Sequence, residues 1–369
     1  MDERTTMESS AGPLQALLSE RLPGARLEAA EPLGPDGGEG AGGATEKAAG
    51  YGQPLLLTVE LPGGGRTRLV LRTATPNEFG HDRRADRAAD TLLAFDRFGV
   101  ISGHARALDV GAVMGSGELR SLAGAEELYL LTEYAEGTLY AQDLRRLAEG
   151  DAAGARDERR CAALARYLAR LHREQRTPAQ YRRSVRDLLG HGEGIFGICD
   201  AYPEGTPAAP PERLLELERR CLEWRWRLRA FEHRAARIHG DFHPFNIVFG
   251  PRGKLSLLDA ARGCAGDPAD DVTALAVNYV FFAVDVPGAW ERGFRDLWRL
   301  FWRTYEAESG DEELRQVAPP YLTWRLLVVC LPKFYPRLSE RGRDLLLGFA
   351  ERALVSERFD PASAEELFS

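Results

Sequence analysis

Asp241, Asn246 and Asp259 are the residues of this chain whose types and spacing suit metal-assisted chemistry. They fall within Ile238 to Ala276, which reads IHGDFHPFNIVFGPRGKLSLLDAARGCAGDPADDVTALA. Asp241 and Asn246 stand five apart on a loop that leads into a strand, and Asp259 ends the strand that follows. A carboxylate and an amide oxygen are hard donors of the kind magnesium takes. A second carboxylate beside them can orient an attacking hydroxyl. Phosphoryl transfer needs those parts, because phosphate charge must be neutralised while the acceptor is held in line. The plainer alternative is that Asp and Asn only cap turns, as they often do.

For the three to meet, the chain must fold back between them. Ile247 to Phe249 and Leu255 to Leu258 are short apolar runs around Gly250-Pro251-Arg252-Gly253, the pattern of a hairpin. A hairpin brings its ends together, so Asp259 returns toward Asn246. Upstream, Pro13 to Leu22 reads as an amphipathic helix with Leu14, Leu17 and Leu18 on one face. Leu33 to Gln53 is crowded with glycine and reads as a flexible insertion. Leu55 to Leu61 and Arg68 to Thr73 flank Pro62-Gly63-Gly64-Gly65 as a second hairpin, Asp82 to Phe98 is helical, and Glu127 to Glu133 (ELYLLTE) looks like a further strand. Beyond Gly137 helical periodicity dominates, as in Cys161 to His172 and Pro211 to Ala230. The layout expected is α+β: a small β-rich lobe, then a larger, mainly helical one.

HGDFHPFN, then LLD, then GDPADDV resembles the signature of the aminoglycoside phosphotransferase and choline kinase family. That resemblance implies a bilobal protein-kinase-like fold. Its loop matches H-R-D-x-x-x-x-N of protein kinases, with the same Asp-to-Asn interval. The resemblance further implies that Asp241 is the catalytic aspartate, that Asn246 holds one magnesium and that Asp259 bridges the metals. Residues 1–132 would be the nucleotide-binding lobe, 133–140 the hinge and 141–369 the helical lobe, with the catalytic loop at 238–246 and the metal-binding segment at 255–271. His239 would be a packing residue beneath the loop. His243 is open between holding Asp241 in place and packing, and is kept among the substrate-site candidates. Asp267 and Asp271 are expected to brace the loop by hydrogen bonds.

A kinase-like N-lobe needs a cation on its third strand for the α- and β-phosphates. Lysine occurs only at Lys47, Lys254 and Lys333, so Arg72 in Leu69-Val70-Leu71-Arg72 takes that place. Strand alternation sets Val70 on the same face, where adenine would pack. Arginine keeps the charge and can fork onto phosphate. Asp86 and Asp90 share a helix face and are the candidates to pair with Arg72, with Asp90 preferred. Glu133, where the hinge begins, is a further nucleotide contact candidate. After Asp259 the chain reads Ala-Ala-Arg-Gly, and only eleven residues separate Asp259 from Asp271. A regulated protein kinase needs a longer activation segment, so a small acceptor is expected.

The acceptor pocket should come from the helical lobe. Gly190-His191-Gly192-Glu193-Gly194 would let a ligand approach closely, which makes His191 and Glu193 substrate-contact candidates beside the plainer reading as a surface connection. Trp224, Trp226, Trp298, Trp302 and Trp324 could line a stacking wall, although tryptophans at helical spacing more often build a core.

A net charge of −8 argues against general polyanion binding, so no nucleic-acid partner is expected. The five cysteines show no paired spacing and fit buried thiols in a reducing compartment. No secretory signal or membrane span is visible, and a cytoplasmic protein is expected. The expectation is a kinase using Mg2+ with ATP or GTP as co-substrate and a small hydroxyl compound as acceptor: aminoglycoside, amino alcohol or sugar-like. The alternative is a pseudokinase-type nucleotide-binding scaffold or sensor.

Overall fold

The computed structural model describes residues 3–33 and 54–369, the side chains of 3–10 excepted. The glycine-rich segment 34–53 lies outside the described residues. The chain divides into two compact units, Met1–Thr132 and Glu133–Ser369.

In the first unit α1 (Glu3–Arg21) precedes a three-stranded antiparallel sheet of β1 (Arg26–Pro32), β2 (Leu55–Glu60) and β3 (Arg66–Leu71), in the order β1-β2-β3. Leu14 and Leu18, four apart on α1, meet Leu57 and Val59 of β2 in a small core, with Leu69 and Leu71 of β3 packed against it. That fixes the face of β3. The alternate residues Arg66, Arg68 and Val70 face outward, and Val70 is 44% exposed. Next come α2 (Arg84–Phe98) and a short hairpin of β4 (Gly111–Val113) and β5 (Leu119–Ser121).

The strand expected at Glu127–Glu133 does not form. Residues 127–133 are irregular, with Tyr129, Leu130 and Leu131 at least 88% exposed. Its apolar run pairs with no neighbouring strand, and an apolar run alone does not specify its partner.

The second unit is helical around a minimal sheet. After β6 (Thr138–Leu139) come α3 (Tyr140–Ala148), α4 (Ala155–Leu171), α5 (Pro178–Gly190), α6 (Ile195–Asp200) and α7 (Pro211–Leu228). Then follow β7 (Ala236–Arg237), β8 (Ile247–Phe249), β9 (Leu255–Leu257) and β10 (Ala265–Gly266), and finally α8 (Pro268–Val284), α9 (Arg295–Ser309), α10 (Leu314–Cys330) and α11 (Glu340–Val355). β8 is the middle strand of β6-β8-β9 and is buried throughout, as its unbroken Ile-Val-Phe requires.

Two helices are apolar nearly all round and therefore central. In α8 and in α10 fourteen residues each are buried, and the two helices pack on each other. Trp290, Trp298 and Trp302 are fully buried in the same core, so they form no ligand wall. Trp226, on α7, is exposed. Cys161, Cys199, Cys221 and Cys330 are buried free thiols, and Cys264 is half-buried. Burial pushes the Cys161 thiol up to about 12. Among the described residues no helix is long and apolar enough to cross a membrane.

Candidate active site

The loop entering β8 is held from below by the start of α8. Asp271, in the first turn of that helix, accepts the backbone N–H of His239 at 2.7 Å and of Gly240 at 2.8 Å. An acidic residue suits a helix N-terminus. Its carboxylate also meets His172 Nε2 at 3.2 Å. Asp267 caps α8 and takes a two-point ion pair from Arg234. Phe242 is fully buried and His239 is 5% exposed, so two residues flanking Gly240 and Asp241 anchor the loop in the core. Gly240 has φ +83, and a Cβ there would lie 2.5 Å from the Ala261 carbonyl oxygen. The loop and the segment after Asp259 thus touch through a glycine.

With its neighbours fixed, Asp241 is presented between three donors. His243 Nδ1 accepts from the Phe245 N–H at 3.2 Å, which caps the short Pro244–Asn246 turn. That bond assigns the proton to Nε2, which faces Asp241 Oδ2 at 3.3 Å. His243 thus lies beside Asp241 with its Nε2 toward that carboxylate. The Asn246 amide nitrogen donates to the Asp241 carbonyl at 3.0 Å and to Oδ2 at 3.1 Å. Its oxygen, the atom able to bind a metal, takes no part in that pair.

The hairpin returns as its residues require. Ile247 pairs with Leu257, and the Leu258 N–H donates to the Asn246 carbonyl at 2.9 Å. Asp259 is the next residue. It is exposed, and no hydrogen bond or ion pair engages its carboxylate among the described residues. Its φ of +50 is left-handed, a conformation Asp tolerates better than most side chains.

One further group belongs to the site and was not singled out from the sequence. Arg325, on α10, reaches Asp241 Oδ1 with Nη1 at 2.7 Å, and places Nη2 3.1 Å from both the Gly240 carbonyl and Asp270 Oδ1. Its signal was present: one arginine within the apolar run Leu322 to Cys330 has to find a buried partner. Burial alone would raise the Asp241 carboxyl. The hydrogen bond from His243 and the Arg325 charge outweigh it and hold the group well below the usual carboxylate range. Asp241 is therefore an ionised hydrogen-bond acceptor and a weak base.

The remaining sequence candidates lie in separate settings. Glu193 and His191 are exposed. The Glu193 N–H donates to His191 Nδ1 at 3.2 Å, and the Glu193 carbonyl accepts from Trp324 Nε1 at 2.9 Å. That bond ties the glycine loop to α10 one residue from Arg325. Glu133 is exposed in irregular chain, and Arg72 is exposed one residue past the end of β3. The pairing expected for Asp90 is not the one found. Its carboxylate meets His81 Nε2 at 2.9 Å, because the chain before α2 folds His81 back over that helix. Asp86 accepts the Arg83 N–H at 3.0 Å and so caps its own helix.

A model of the phosphotransferase enzyme family (APH) matches residues 56–314, more than half of the chain. No curated protein matches the sequence. Among solved structures, a glucosamine kinase is similar at 16% identity, covering 95% of this chain and 100% of its own, with a TM-score of 0.43. Choline kinase LicA from Streptococcus pneumoniae is 16% identical, covers 92% and 97%, and has a TM-score of 0.34. Macrolide 2'-phosphotransferase MphH from Brachybacterium faecium is 15% identical, covers 94% and 99%, and has a TM-score of 0.30. At such values the family match carries the assignment: this chain belongs to the phosphotransferase enzyme family, the small-molecule kinases of the kinase-like fold.

Proposed function

We propose that the chain moves the γ-phosphoryl group of Mg-ATP or Mg-GTP to a hydroxyl of a small polar molecule, of the aminoglycoside, amino alcohol or sugar-like class. The observation that carries this is the orientation of Asn246. Its nitrogen is committed to Asp241, its oxygen takes no part in that pair, and the Leu258 N–H bonds its backbone carbonyl, so that Asp259, unpartnered among the described residues, follows one residue later.

An amide oxygen and one free carboxylate fit magnesium. Among the described residues there is no group of three His, Cys, Asp or Glu side chains able to hold a metal. Magnesium commonly takes one or two carboxylates and completes its shell with substrate phosphates and water. Bound there, it would neutralise phosphate oxygens.

Asp241 acts on the acceptor. Its carboxylate accepts the hydroxyl hydrogen and aims the oxygen lone pair at the γ-phosphorus. As the new O–P bond forms, the bond to the β-phosphate oxygen breaks, and its electron pair leaves with the nucleoside diphosphate. The acceptor proton passes to Asp241 late, which suits a weak base in a loose transition state. Arg72 is the proposed triphosphate cation, with Val70 and Glu133 as base contacts. A nucleotide-binding scaffold is the second reading, favoured by the engagement of Asp90 with His81.

Magnesium-dependent thermal stabilisation by ATP or GTP tests the nucleotide site. An acceptor screen with Asp241→Asn as control then separates the two readings. Equal, negligible turnover by both proteins on every acceptor would leave only the scaffold.

A further inference from the structure

We propose that Arg325 is a positioning residue for the reaction, a guanidinium clamp that sets which oxygen of Asp241 receives the acceptor hydroxyl. This rests on the kinase reading above.

The clamp is fixed from several directions. Nη1 holds Asp241 Oδ1 at 2.7 Å, while Nη2 bonds the Gly240 carbonyl and Asp270 Oδ1, both at 3.1 Å. The guanidinium carbon lies 3.9 Å from the centroid of the Trp324 ring, and Trp324 is itself fixed by its bond to the Glu193 carbonyl. Asp270 is held in turn by Arg262, whose Nε lies 2.9 Å from Oδ2 and whose guanidinium also lies over Trp324, at 4.4 Å. The Arg325 side chain is 7% exposed. Nη1 and Nη2 are paired while the buried Nε has no hydrogen-bond partner among the described residues; a buried guanidinium is costly to leave unpaired, and a planar fork fits two acceptors where an ammonium would not.

Stitching α10 to α8 needs only Asp270. The additional bond to Asp241 falls on the carboxylate proposed to meet the acceptor, and counting lone pairs gives it a consequence. A carboxylate offers roughly four acceptor positions. On Oδ2, Asn246 takes one, and His243 Nε2 stands 3.3 Å from the same oxygen. On Oδ1, Arg325 takes one. The position left for the acceptor is therefore on Oδ1, the oxygen that Arg325 orients. Its charge also offsets that of Asp241 where an anionic triphosphate must approach.

Arg325→Lys keeps the charge but loses the fork, and Asp270→Asn weakens the second anchor without touching Asp241. Each is assayed with Mg-ATP, using water and the best acceptor from the screen. Misplacing a reacting group by about 1 Å costs on the order of 100-fold. The expected result is a kcat for Arg325→Lys lower by about that factor, with the nucleotide KM changed less than about threefold. Asp270→Asn should fall in the same direction. Arg325→Ala, where it folds, should regain about tenfold in kcat with added guanidinium ion.

A folded Arg325→Lys whose kcat stays within about twofold of wild type overturns the clamp, as does a loss confined to KM. An active wild type with unaffected variants refutes the clamp alone. A wild type inactive toward every acceptor and toward water refutes the kinase reading and the clamp with it.

Discussion

His172 Nε2 and Asp271 Oδ2 lie 3.2 Å apart in the interior of the second unit, beneath a loop whose backbone the same carboxylate holds. Burial by itself would raise the Asp271 carboxyl. The hydrogen bond and charge of His172, with the His239 N–H, keep it below the ordinary value instead. A carboxyl depressed in the folded state contributes stability above its unfolded pKa of about 3.9, and that contribution is lost as pH falls through the folded value. It is therefore complete at neutral pH and lost only in acid. Asp271→Asn should cost about 1–3 kcal/mol at pH 7. Thermal unfolding of both proteins from neutral to acid should show the gap closing below about pH 4. A gap that stays constant through that range would contradict the account.

Asp259 separates function from stability. Its carboxylate is exposed and unpartnered among the described residues, and Asn tolerates the same left-handed backbone. Asp259→Asn should leave unfolding within about 0.5 kcal/mol of wild type. Magnesium-dependent stabilisation by ATP should vanish. Retention of that stabilisation would remove Asp259 from the metal site.

Gly240 should tolerate no side chain. Gly240→Ala meets both a φ of +83 and a carbonyl oxygen 2.5 Å from the new Cβ. The expected loss is about 1–3 kcal/mol, read from the denaturant midpoint, with turnover falling as the loop shifts from Ala261. A midpoint within error of wild type would mean that the contact between loop and segment is loose.

Arg72 gives the converse test on the first unit. It is exposed, so Arg72→Met should leave stability within about 0.5 kcal/mol. If it binds the triphosphate, a charged hydrogen bond worth about 1.5–3 kcal/mol is lost, and the ATP dissociation constant rises roughly 10- to 100-fold. Calorimetric titration measures this directly, and an unchanged constant would exclude Arg72 from the phosphates.

How much of this was legible depends on how local each signal is. The hairpin of β8 and β9, the caps of α8 and the helical second unit follow from short-range pattern: apolar runs around a Gly-Pro turn, Asp before Pro268, and period-3.6 stripes. The Asp241–Asn246 spacing is likewise local. Arg325 lies 84 residues from Asp241, and only tertiary packing of α10 on α8 brings them together. The partner of Asp90 in the structure escaped the sequence for a related reason. Two charges of suitable spacing do not exclude a nearer competitor, and His81 reaches Asp90 first. The run ELYLLTE had strand composition but no neighbouring edge taken up by it, and composition alone cannot supply a partner.

The cysteines have a practical consequence. Four of the five sulfurs are shut inside helical packing, whereas Cys264 is half-buried in the short stretch between Asp259 and α8, its backbone tied to Ala261 and Ile238. A maleimide dye offered to the folded protein would meet that thiol first. The native chain thus carries its own attachment point for a fluorescent reporter, five residues from the carboxylate whose surroundings it would report.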